Sequence, residues 1–200
     1  MLLTAHGLAD HVSGVILYDE TIRQSTADGR PFVEYLDEVG ILPGIKVDTG
    51  AKALALHAGE KVTEGLDGLR DRLGEYRELG ARFAKWRAVI TIGDGLPSAA
   101  CIEANTHALA RYAALCQEAG IVPVVEPEVL MDGDHGLDEC FAVTADTLHA
   151  LFGQLIQVWS IHLASVTPDI RPSKVISQDK NDIRLFLRLA HEPDHLKEKQ

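Results

Sequence analysis

The sequence is poor in cysteine and lacks paired metal-binding motifs. Cys101, Cys116 and Cys140 are odd in number and far apart, and neither a CxxC pair nor a zinc-finger spacing of Cys and His occurs. Scattered single thiols do not form a disulfide framework or a zinc module. We therefore expect reduced thiols that behave as small buried hydrophobic groups in a cytoplasmic protein.

Positive charge is also scarce. Lys and Arg number 19 against 30 Asp and Glu, which gives a formal net charge of -11. Nucleic acids and anionic membranes are bound through basic surfaces, so neither is expected as a partner, although a local cationic pocket is compatible with this balance. The sequence has no apolar run near the ~18 residues of a membrane span, and its N-terminus has no signal-peptide pattern. We expect a protein that is neither exported nor embedded in a membrane.

Glycine-rich phosphate-binding loops are absent, since neither GxGxxG nor GxxxxGK[ST] occurs. The sequence instead contains strand-like segments that begin near residues 13, 44, 83 and 121 and alternate with helical patterns. Repeats of this size are typical of parallel strands joined by crossover helices. A doubly wound sheet would carry a glycine-rich loop after its first strand, whereas a (β/α)8 barrel places polar groups at the carboxyl ends of several strands.

Residues 82–90 carry charge inside an apolar strand. Alternation with a period of two places Lys85 and Arg87 on one face, opposite a row that contains Trp86. A cation there is costly unless it faces water, a counter-ion or an anionic ligand. We interpret the Lys85 face as functional and the Trp86 face as core. A surface strand with two solvated charges is the alternative.

The same design recurs on two other strands. Lys46 and Asp48 share a face of a short strand, and Glu126 and Glu128 share a face of a later one. Polar residues that point inward from three strands favour the barrel over the doubly wound sheet. We expect all these charged side chains to converge on one cavity at the carboxyl edge of the sheet.

The expected fold class is therefore α/β, a partial (β/α)8 TIM barrel with about four secure parallel βα units. These units occupy residues 1–157, and residues 158–200 are interpreted as a divergent C-terminal tail. A whole barrel needs about 250 residues. Residues 50–62 are predicted to form a loop, and Ser98 is predicted to cap the helix that follows it.

Several ordered motifs together resemble class I fructose-bisphosphate aldolase, of the bacterial type. They are GIKVD (44–48), EGLDGL (64–69), FAKWR (83–87), Asn105, ARYA (110–113), CQ (116–117), GIVPVVEPEVL (120–130) and DGDH (132–135). The resemblance implies a (β/α)8 barrel, commonly a homotetramer. It also implies cleavage of fructose 1,6-bisphosphate into dihydroxyacetone phosphate and glyceraldehyde 3-phosphate through a lysine Schiff base, with no metal or other cofactor.

The resemblance also implies roles for the inward-pointing residues. Glu126 matches the acid/base carboxylate, and Glu128 matches the neighbouring carboxylate that orients the lysines. Lys85 matches the lysine that assists proton transfer and holds substrate, and Lys46 and Arg87 match substrate-binding cations of the same pocket. Paired carboxylates beside cations suit acid/base work on a phosphorylated sugar. The alternative is a structural ion-pair role for the two glutamates.

Two other functional classes are compatible with the residues. Glu126, Glu128, Asp132, Asp134 and His135 offer oxygen and nitrogen ligands for Mg or Zn, so a metal-dependent barrel enzyme is one alternative. A non-catalytic remnant that folds only partially or binds partner chains is the other alternative.

The chain departs from the family pattern at the nucleophile. The family carries its Schiff-base lysine in Leu-Lys-Pro-Asn-Met, and this motif is absent. The run from Arg171 to Ser177 is a partial echo in which Lys174 follows Pro172 instead of preceding a proline. We expect a fragment, or a reading frame that changes near Val158, and a chain that is inactive alone.

Overall fold

Strands and helices alternate along the chain, as the spacing of the strand-like segments predicts. The computed structural model describes residues 2–159. In chain order the elements are β1 (Gly14–Leu17), α1 (Asp19–Ile22), α2 (Phe32–Glu38), β2 (Leu42–Lys46), β3 (Gly50–Ala53), β4 (Lys61–Glu64), α3 (Leu69–Glu78), β5 (Phe83–Ile90), α4 (Ala99–Glu118), β6 (Val122–Val129) and α5 (Leu137–Trp159).

Within residues 2–159 the main sheet has four strands in the order β1-β2-β5-β6. Every neighbouring pair is parallel, so the carboxyl ends of all four strands meet at one edge. The register places Lys46 beside Lys85 and Arg87 beside Glu126. This α/β arrangement, with helices between successive parallel strands, is the partial barrel that the sequence predicts.

The two rows of β5 separate as the period-two pattern predicts. Ala84, Trp86, Ala88 and Ile90 are all 0% exposed, whereas Lys85 and Arg87 are accessible on the opposite face. The Trp86 ring packs on Tyr112 of α4 with ring centroids 5.5 Å apart. The row that contains Trp86 is therefore core, and the row that contains Lys85 borders open space.

Tyr112 connects α4 to the sheet through its hydroxyl. The hydroxyl donates to Ala84 O at 2.6 Å and lies 3.2 Å from Val124 O, so it bridges β5 and β6. Burial raises the pKa of Tyr112, which keeps the phenol protonated as a donor. This contact fixes the long helix over the strands that carry the charged residues.

We expect Tyr112→Phe to lower the free energy of unfolding by about 1–2 kcal/mol, because buried carbonyls lose a donor. Urea denaturation measures the change, and Tyr18→Phe is the matched control, since Tyr18 is 64% exposed. Equal stability of the two variants would contradict a structural role for the Tyr112 hydroxyl.

The prediction of a loop over residues 50–62 is wrong. Here β3 and β4 form an antiparallel pair, with Gly50 opposite Glu64 and Ala53 opposite Lys61. The segment Gly-Ala-Lys-Ala lacks the β-branched and aromatic residues that mark strands, so its sequence gives no strand signal. The strand predicted to include Asp48 also ends early, at Lys46.

Two of the three cysteines are buried, as the sequence predicts. Cys101 and Cys116 are buried, whereas Cys140 is partly accessible. Burial raises the pKa of Cys101 to about 11 and that of Cys116 to about 12, so both stay protonated at neutral pH.

Among residues 2–159 no helix is both long and apolar enough to cross a membrane. Helix α5 ends at Trp159 and so includes the first two residues of the tail predicted from residue 158. The later tail residues, including Lys174, lie outside the described residues.

Candidate active site

A cationic cavity of about 410 Å³ opens at the carboxyl edge of the sheet. Lys46 from β2 and Lys85 and Arg87 from β5 line it, together with Asp48 and the exposed ring of Tyr18. Lys46 is paired with Lys85 in the sheet, and Arg87 lies two residues further along β5, so the three cations share one face of the sheet. The volume lies within the range of pockets that bind small molecules.

Asp48 holds Lys46 in place at the wall of this cavity. Lys46 Nζ donates to Asp48 Oδ1 at 2.6 Å and to Asp48 O at 2.9 Å. Asp48 is only 8% exposed, and its Oδ1 also accepts from Gly50 N at 3.1 Å. The charge-assisted hydrogen bonds of this pair hold the half-buried ammonium in a fixed orientation.

A second cavity adjoins the first and shares two of its residues. Lys85 and Arg87 line both, and Glu126, Pro127 and Glu128 complete the second. Lys85 Nζ lies 3.1 Å from Glu126 Oε2, and Arg87 Nε donates to Glu128 Oε2. The five predicted site residues therefore lie together on one face of the sheet.

These ion pairs restrict what the site residues can do. The ion pair of Glu128 is with Arg87 and not with a lysine. The role predicted for Glu128, orienting the lysines, therefore stays a prediction. The guanidinium has N–H donors beyond Nε, and within residues 2–159 no hydrogen bond from its two Nη atoms is found. Arg87 can therefore keep Glu128 and still offer a fork of donors to an anion.

The metal alternative has no geometric support in the described part of the chain. There no three His, Cys, Asp or Glu side chains are grouped so that they could hold a metal ion. Asp132, Asp134 and His135 follow β6 in the connection to α5, whereas Glu126 and Glu128 are engaged by Lys85 and Arg87.

The β3–β4 hairpin forms a wall of the cationic cavity that sequence reasoning missed. Gly50 and Ala51 of β3 line the cavity, and Glu60 fixes the hairpin to α4. The Glu60 side chain accepts from Ser98 N and from Ser98 Oγ, both at 2.6 Å. Ser98 caps α4 as predicted, with its Oγ accepting from Cys101 N at 3.2 Å. No local pattern could reveal the Glu60 contact, since 38 residues separate the partners.

Glu60 should make the stability of the chain depend on pH. Burial opposes its charged form, but the hydrogen bonds from Ser98 outweigh burial and hold the pKa of Glu60 below its ordinary value. A lowered carboxyl pKa gives stability that is present above the unfolded pKa of about 4.3 and is lost as pH falls through the folded pKa.

We expect Glu60→Gln to be less stable than the wild type at pH 7, with a gap that narrows below about pH 4.3. Urea midpoints across pH 3–7 measure this. Glu64→Gln is the control, because Glu64 is exposed on the same hairpin. A gap that does not change with pH would contradict ionisation of Glu60 as the cause.

The parallel sheet, its covering helices and the charged side chains at its carboxyl edge define the class of protein: an α/β protein that contains part of a (β/α)8 barrel. A known structure has the same fold. Fructose-bisphosphate aldolase from Plasmodium falciparum, solved with TRAP and a small-molecule inhibitor, matches 76% of this chain and 45% of its own, with a TM-score of 0.74 and 44% identity.

Sequence comparison reaches the same family. The model of the fructose-bisphosphate aldolase class-I family matches residues 1–167. A probable fructose-bisphosphate aldolase class 1 of Xanthomonas campestris pv. campestris is 66% identical over 157 residues, which are 78% of this chain and 47% of the relative. Fructose-bisphosphate aldolase 6, cytosolic, of Arabidopsis thaliana is 53% identical over 155 residues, covering 78% of this chain and 43% of the relative. The chain belongs to the class I fructose-bisphosphate aldolase family, and it spans about half the length of these relatives.

Proposed function

We propose that this chain carries the sugar-phosphate-binding half of a fructose 1,6-bisphosphate aldolase site. The observation that supports the proposal is the convergence of Lys46, Lys85 and Arg87 on one cavity at the carboxyl edge of the sheet. Ammonium and guanidinium groups bind phosphate through charge-assisted hydrogen bonds. The site is therefore suited to a ketose bisphosphate.

The proposed acid/base groups line the second cavity, which Glu126 and Glu128 complete. In the complete protein, Glu126 exchanges the protons of carbinolamine dehydration and carbon-carbon cleavage, and Lys85, 3.1 Å from Glu126 Oε2, assists the transfer. Glu128 holds Arg87 against the phosphate, and Lys46 and Arg87 bind the substrate. The complete reaction passes through a lysine Schiff base and needs no metal or other cofactor.

The complete protein is proposed to act in the cytoplasm as a homo-oligomer. The names of the Arabidopsis thaliana and Pisum sativum relatives, which are described as cytosolic or cytoplasmic, support the location. The family resemblance supports the oligomer. Size-exclusion chromatography with light scattering measures the assembly state directly, and a monomeric complete protein would contradict this part of the proposal.

Binding calorimetry tests the proposed substrate class. The chain is expected to bind fructose 1,6-bisphosphate and to bind free fructose at least tenfold more weakly, since only the bisphosphate engages the cations. The bisphosphate affinity should also fall with added salt, because the site residues are partly exposed to solvent. Equal affinity for the sugar and its bisphosphate would refute the proposal.

A further inference from the structure

The carbonyl oxygen of Arg87 is a backbone acceptor that β2 does not reach. The pairing of β2 with β5 ends at Lys46 beside Lys85, and Val47 N then donates to Lys85 O at 3.1 Å. Backbone groups two residues apart in a strand point toward the same side. The carbonyl of Arg87 therefore points to the side from which β2 has already departed.

The β3–β4 hairpin fills this place. Thr63 of β4 is 3% exposed, and its Oγ1 donates to Arg87 O at 2.8 Å. The other side of β4 is fixed to α4, because Thr63 N donates to Asn105 Oδ1 at 3.2 Å and Asn105 Nδ2 donates to Lys61 O at 2.9 Å. Thr63 thus connects a buried helix residue to the backbone of the residue that faces the cavity.

We propose that Thr63 is a positioning residue for Arg87 and thereby sets the affinity of the site for the phosphate of a ketose bisphosphate. Threonine is β-branched and stiff at χ1, so its hydroxyl holds the Arg87 carbonyl in one place. The Arg87 side chain is then fixed at its backbone by Thr63 and at its guanidinium by Glu128. Loss of the Thr63 hydroxyl releases the backbone end of this arrangement. The inference rests on the proposed function.

The test compares fructose 1,6-bisphosphate binding by matched variants of the 200-residue chain in calorimetry. Thr63→Val keeps the side-chain shape, removes the donor and is expected to weaken binding about three- to tenfold. Thr63→Ser keeps the hydroxyl donor and loses only the methyl that restrains χ1, so it should bind within about twofold of the wild type. Thr106→Val is the structural control, because the Thr106 hydroxyl is fully buried and bonds only carbonyls of α4. It should lose stability without losing affinity.

A double-mutant cycle separates positioning from general destabilisation. In an Arg87→Met background, Thr63→Val should cause no further loss of affinity, since the two changes act through one contact. Equal losses in both backgrounds, or wild-type affinity of Thr63→Val, would overturn the proposal. If Thr63→Val does not fold, Thr63→Ala replaces it in the same cycle.

The same measurements distinguish failure of this inference from failure of the proposed function. Equal affinity of the wild-type chain for free fructose and for fructose 1,6-bisphosphate would refute the proposed function. A loss in Arg87→Met together with wild-type affinity of Thr63→Val would refute the positioning role alone.

Discussion

The purified 200-residue chain is expected to cleave fructose 1,6-bisphosphate no faster than buffer does. In the family, one lysine turns the substrate carbonyl into an iminium ion that accepts electrons as the carbon-carbon bond breaks, and the surrounding acids and bases move protons. The motif that carries this lysine is absent from the sequence. Without the iminium, nothing accepts the electrons of the carbon-carbon bond, so proton transfer by the acid/base groups cannot lead to cleavage.

The lysines that line the site are poor substitutes for the missing nucleophile. Lys46 lies 2.6 Å from Asp48, and Lys85 lies 3.1 Å from Glu126. Each amine is engaged by a carboxylate in an ion pair, whereas imine formation requires an amine that is free to attack the carbonyl. Both side chains are therefore expected to bind anions and to leave the carbonyl unattacked.

Borohydride trapping with dihydroxyacetone phosphate tests this expectation. We predict no mass increase on the chain after reduction, while a complete family member treated in parallel acquires a stoichiometric adduct. A stoichiometric adduct on Lys174, abolished by Lys174→Met and accompanied by cleavage activity, would show that the partial echo beside Pro172 is a working nucleophile.

Removal of the Arg87 charge is expected to reduce the affinity for fructose 1,6-bisphosphate roughly tenfold or more. A hydrogen bond between a guanidinium and a phosphate contributes about 1.5–3 kcal/mol, and partial exposure of the side chain places the effect toward the lower end. Arg87→Met keeps much of the apolar stem and removes the charge and every donor. Lys46→Met should reduce affinity by a smaller factor, because an ammonium offers no bidentate fork.

Arg82→Met is the matched control for this effect. Arg82 precedes the same strand, is exposed, and lies at the amino end of β5, opposite the edge that carries the site. Its replacement changes the net charge equally. An equal loss of affinity in Arg82→Met and Arg87→Met would indicate that overall charge governs binding, and would contradict a local site.

The charged residues that could be predicted from the sequence are those that alternate with buried residues along a strand. Lys85 and Arg87 alternate with buried residues, and a parallel sheet brings the ends of its strands to one edge, so their grouping with Lys46 and Glu126 needs only the strand order. The register sets Arg87 opposite Glu126, yet its bond goes to Glu128, two residues further on. A one-dimensional pattern cannot choose between these two partners.

The β3–β4 hairpin could not be predicted from the sequence. Gly50 and Ala51 are small, and the apolar alternation that reveals β5 is missing from β3. Its anchors, Glu60 and Thr63, bond to residues 38 and 24 positions away. The Thr63 contact arises because β2 ends before β5 does, which leaves the carbonyl of Arg87 to be satisfied by a segment from outside the main sheet.

The most direct test of anion binding at the carboxyl edge is a crystal structure of the chain with fructose 1,6-bisphosphate. We predict a phosphate group within about 3.5 Å of Lys46 Nζ and of the Arg87 guanidinium, with Glu128 still bound to Arg87. A bound phosphate away from this edge, with Lys46 and Arg87 making no contact to it, would contradict the assignment of the site.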